Sequence, residues 1–73
     1  MNLNLLRSKM ALKGDFTWVA LAELLGLSRP ALTARLEDQV NWTVPEIRKI
    51  VQKYNLTEEE TCEIFGFKTG NEN

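Results

Sequence analysis

Apolar residues recur along this chain at intervals of three and four, the spacing that gathers them on one face of a helix. Leu3, Leu6 and Met10 follow it over residues 3–12, and Lys13 with Gly14 supplies a basic C-terminus and a stop. A second helix is predicted over Trp18 to Leu25, with Thr17 as its N-cap, Phe16 set to pack on Leu21 as a hydrophobic staple, and Gly26 as its left-handed end. Ser28 caps a third, from Arg29 to about Glu37, in which Pro30 falls in the first turn at no cost in hydrogen bonds. Leu27 and Leu32 repeat the staple spacing there. Thr43-Val44-Pro45-Glu46 is a capping box opening a fourth helix, whose Ile47, Ile50, Val51 and Tyr54 stand at i, i+3, i+4 and i+7. Thr57-Glu58-Glu59-Glu60 is a second capping box, for a short fifth helix running to about Phe65 and ended by Gly66. No stretch alternates apolar and polar residues as a strand does. The expected fold is all-α: a compact bundle of five short helices, one domain over residues 1–67, with 68–73 as a flexible tail.

Composition narrows what such a bundle can do. A chain of 73 residues buries only about 60% of its unfolded surface, which leaves little mass for a core and a deep substrate pocket together. There is no His and a single Cys, Cys62, so no His-dependent catalytic triad, thiolate zinc site or internal disulfide is available. No enzyme activity, catalytic residue, metal or cofactor is therefore expected. Cysteine usage suits an intracellular protein, and the charged N-terminal stretch has no apolar run for a signal peptide or membrane span; a soluble cytoplasmic protein without a membrane partner is expected. Nine basic against ten acidic residues argue at first against a nucleic-acid partner, because such domains usually carry a basic excess.

The segment Trp18 to Asp38, WVALAELLGLSRPALTARLED, carries more information than the totals. Ala22 stands four residues before Gly26, Leu27 follows that glycine, and Leu32 lies five beyond Leu27. A small residue lets two helices cross closely, a glycine takes the turn, and Leu21, Leu25, Leu27, Leu32 and Leu36 fill the angle between them. This pattern resembles the helix-turn-helix of the lambda repressor and Cro-like family of phage and bacterial regulators. The resemblance continues through Asn41-Trp42-Thr43-Val44, Glu46-Ile47-Arg48-Lys49-Ile50 and Tyr54-Asn55-Leu56-Thr57, covering roughly residues 4–65. It departs at Trp18, where relatives commonly have Gln, and at Glu37-Asp38-Gln39, where they often run Asn-Gly-Lys.

The resemblance implies a sequence-specific, double-stranded DNA-binding regulator whose third helix enters the major groove and which binds as a homodimer. Ser28, Arg29, Thr33 and Ala34 would then face base edges, with Arg29 suited to the two acceptors of guanine and Ala34 to a thymine methyl. Thr17, Trp18, Arg35, Asn41 and Thr43 match positions from which the family reaches phosphates. Ile64, Phe65 and Phe67 near the C-terminus are the expected dimer surface. The plainer expectations are Trp42 as a loop anchor on the third and fourth helices, Cys62 as a small buried apolar residue, and Glu37-Asp38 as a solvated helix end. The alternative reading is a helix-turn-helix scaffold for protein partners, such as an antirepressor or host-factor modulator, with Trp18, Pro30, Ala31 and Ala34 as its contact patch. Glu37 and Asp38 favour that alternative.

The distribution of charge weakens the first objection. Up to Lys53 there are eight basic and five acidic residues; from Tyr54 on, one basic residue stands against five acids. The part that carries the motif is basic by three.

Overall fold

The computed structural model describes residues 1–66 and places helices α1 (Leu3–Leu12), α2 (Trp18–Leu25), α3 (Arg29–Leu36), α4 (Val44–Tyr54) and α5 (Glu58–Phe65), with no strand among the described residues. Capping chemistry sets most of these boundaries. Asn2 Oδ1 accepts from the Leu5 N–H at 3.0 Å and Ser28 Oγ from the Ala31 N–H at 3.2 Å. Thr43 with Glu46, and Thr57 with Glu60, close both halves of their capping boxes. At the far ends, Gly26 turns α2 at φ +70° without the backbone strain a residue with a side chain would carry there. Asn55 does the same for α4 at φ +54°, a conformation its short amide side chain tolerates better than most.

Every helix sends at least one side chain into the common core. Leu6 and Met10 come from α1; Leu21, Ala22 and Leu25 from α2; Leu32 from α3; Ile50 and Tyr54 from α4; Ile64 from α5; and Leu56 from the turn before it. Full burial of each aliphatic side chain is worth about 1.5–3 kcal/mol. Polar ties fasten the layers at their edges. The Tyr54 hydroxyl donates to Asp15 Oδ2 at 2.8 Å, Lys9 Nζ donates to Glu60 Oε2 at 2.9 Å, and the Asn2 N–H donates to the Ile64 carbonyl at 2.8 Å. Burial, then the Asp15 hydrogen bond and charge, push the Tyr54 phenol well above its ordinary value.

Three local expectations change. Phe16 is 73% exposed while Leu21 is wholly buried, so the predicted staple does not cover Phe16. Thr17 has the extended backbone of a cap but makes no capping hydrogen bond through its side chain. Cys62 is half-buried, not enclosed. Phe67 and the expected tail over 68–73 lie outside the described residues.

Candidate nucleic-acid interface

The outward face of α3 is set by its one wholly buried side chain. Leu32 is rooted in the core at 1% exposure; Pro30, Thr33 and Glu37 fall on the side away from it, while Arg29 and the cap Ser28, three and four residues before Leu32, are exposed at the N-terminal end of the helix. Of the four expected base-facing residues, Ser28, Arg29 and Thr33 are exposed and Ala34 is half-buried. Pro30 has no N–H and the Ala31 N–H is taken by Ser28 Oγ, so polar recognition at this helix end falls to side chains more than to backbone amides. Arg29 makes no ion pair among the described residues. The Ser28 hydroxyl, while accepting from Ala31, keeps its own proton to donate.

Arg35 plays a different part from the one its position suggests. Its Nε donates to Glu46 Oε1 at 2.9 Å and its Nη1 to the Ala31 carbonyl at 3.0 Å, with only 14% of the side chain exposed. The same Glu46 oxygen accepts from the Thr43 N–H at 3.0 Å, and Thr43 Oγ1 accepts from the Glu46 N–H at 3.3 Å. One carboxylate thus closes the capping box of α4 and ties it to α3. Burial alone would raise the Glu46 pKa, but the Arg35 hydrogen bond, the Thr43 N–H, the guanidinium charge and the Thr43 hydroxyl outweigh it, and the net shift is downward. The guanidinium expected to reach phosphate is here held by Glu46 of α4. Thr43 remains exposed, with its hydroxyl oxygen engaged as a cap.

At the start of α2, Trp18 is half-buried against the core and the Arg7 guanidinium lies over its ring, 5.7 Å from the centroid. Trp18 thereby serves as a platform for a cation from α1. Arg7, Ser8, Phe16, Thr17 and Trp18 line one shallow hollow between α1 and α2. The sequence offered no local signal for Arg7, since its partner is on another helix. Thr17 and Asn41 are exposed.

Of the expected dimer surface, Ile64 is corrected and Phe65 is half-buried. Ile64 has no exposed area, because α5 turns it into the core, and Phe65 packs edge-on against Trp42 at 5.4 Å between ring centroids. Ile64 is thus spent within the core, Phe65 keeps part of its surface exposed, and Phe67 lies outside the described residues. Trp42 accordingly anchors its loop on α5. Its indole N–H is buried without a hydrogen-bond partner among the described residues.

Acidic groups border the α3 face. Glu37 and Asp38 are exposed at its C-terminal end, where Asp38 adopts a left-handed backbone at φ +61° and its Oδ2 lies 3.4 Å from the Met1 ammonium nitrogen. Among the described residues, no group of three His, Cys, Asp or Glu could hold a metal ion, and no helix is long and apolar enough to cross a membrane. No family model matches this chain, and no curated protein or solved structure is significantly similar to it.

Proposed function

We propose that this chain is a sequence-specific, double-stranded DNA-binding regulator of the lambda repressor and Cro-like kind, with α2 and α3 as its helix-turn-helix. The observation that supports this most is the exposure of Ser28, Arg29 and Thr33 in the N-terminal half of α3, with Arg29 making no ion pair among the described residues. A guanidinium and two hydroxyls are the groups that read base edges in a major groove. The exposure of Thr17, Asn41 and Thr43 supports their reading as phosphate contacts from neighbouring loops. With Ile64 enclosed in the core, the second copy is brought in by a two-fold operator. Selection from a pool of random duplexes tests this reading. It should enrich a sequence with two related half-sites about 10 base pairs apart, and Arg29→Ala should relax one position of each at a cost of about 1–3 kcal/mol. A pool that shows no enrichment overturns the proposal.

A second reading has its own support. Phe16 is 73% exposed beside the hollow that holds Arg7 and Trp18, and Glu37 and Asp38 would repel a phosphate backbone. These features favour a scaffold that binds another protein. Such a scaffold enriches no duplex, so the same selection separates the two.

A further inference from the structure

Helix α4 carries a surface that the reading above leaves unused. Ile50 and Tyr54 are buried and Ile47 and Val51 half-buried, so these four define its inner face. At about 100° per residue, Arg48, Lys49, Gln52 and Lys53 fall on the opposite face, and all four are exposed. None of the three cations makes an ion pair among the described residues, and the one acid of α4, Glu46, is held by Arg35. The result is a stripe of positive charge with no carboxylate free to neutralise it.

Folding does not account for this stripe. Lys53, in the last turn, gains from the helix dipole, but Arg48 and Lys49 lie mid-helix where that gain has faded. Lys49 and Lys53 are like charges at i and i+4, which cost helix stability. We propose that the outer face of α4 is a sequence-independent contact surface for the phosphate backbone of duplex DNA. The proposal rests on the DNA-binding function above. Lys49 and Lys53 are about 6 Å apart along the helix axis, close to two phosphate steps of about 3.4 Å each along one strand. A membrane surface fits less well, because amphipathic membrane helices set Trp, Phe or Leu beside their cations, and here the apolar side of α4 is in the core.

The test measures affinity for a random-sequence duplex over a salt series, with the full chain and two variants. For Arg48→Gln, Lys49→Gln, Lys53→Gln combined, the slope of log affinity against log salt should fall by about 2–3 units, and for Lys49→Gln alone by about one. Unchanged helical circular dichroism establishes that both variants fold. A wild-type chain that binds while both variants keep its slope overturns the α4 assignment and leaves the α3 reading standing. A wild-type chain that ignores the duplex but binds phosphatidylserine vesicles overturns both.

Discussion

The two arginines of α3 show how far neighbouring chemistry decides a residue's role. Arg29 and Arg35 lie on the same eight-residue helix, and the sequence suggests DNA contact for each. Only Arg29 has its charge outward; Arg35 meets a carboxylate eleven residues further on, across a turn. Such a pair has no local signature, because Glu46 already has a complete explanation as the partner of Thr43 in a capping box. The network makes a prediction about acid. The folded Glu46 pKa lies below the ordinary 4.5, as does that of Glu60, where the Thr57 N–H leads and Lys9 adds to it. A lowered carboxyl contributes stability that is complete above its unfolded pKa and lost as pH falls through the folded value. Urea midpoints should therefore hold near neutrality and fall below about pH 4.5. Glu46→Gln, which keeps an acceptor for Thr43 but loses the charge, should lower stability at pH 7 by about 1 kcal/mol and remove part of that acid dependence. A variant with the wild-type acid profile would remove Glu46 from the account.

At the scale of elements, the positions of the helices were legible because caps and stops are written within four residues of each boundary. Ser28, Thr43 and Thr57 do what their spacing predicts, and Gly26 takes the left-handed turn. What escaped the reading was decided by packing between elements. Phe16 satisfies the spacing of a staple but stays in solvent, whereas Ile64 reads as a surface residue and is consumed by the core. Asn55 and Asp38 adopt left-handed caps that glycine would announce and they do not. The turn between α2 and α3 gives the second prediction. A Cβ at Gly26 would meet nothing within 4 Å, so Gly26→Ala carries only backbone strain, about 1–2 kcal/mol. Its urea midpoint should fall with the slope unchanged; an unaffected midpoint would mean that the turn relaxes out of its left-handed form.

For the whole molecule, the near-zero total charge conceals a division of labour. Of the five acids after Tyr54, four lie on α5: Glu60 closes a capping box and draws in Lys9, and Glu63 Oε2 accepts from Asn2 Nδ2 at 3.3 Å. Basic charge is left on α3 and on the outer face of α4, with Glu37 and Asp38 as the local opposition. A basic surplus of three over residues 1–53 supports modest affinity per copy, which is why the proposal needs a second chain on the operator. The central claim, that this surface binds duplex DNA, is tested most directly by fluorescence anisotropy of a labelled random-sequence duplex titrated with the intact protein across a salt series. The account predicts binding whose log affinity falls linearly with log salt, by about 0.9 for each phosphate neutralised. Absence of binding at about 10 mM salt, where such electrostatic contacts are strongest, would contradict it.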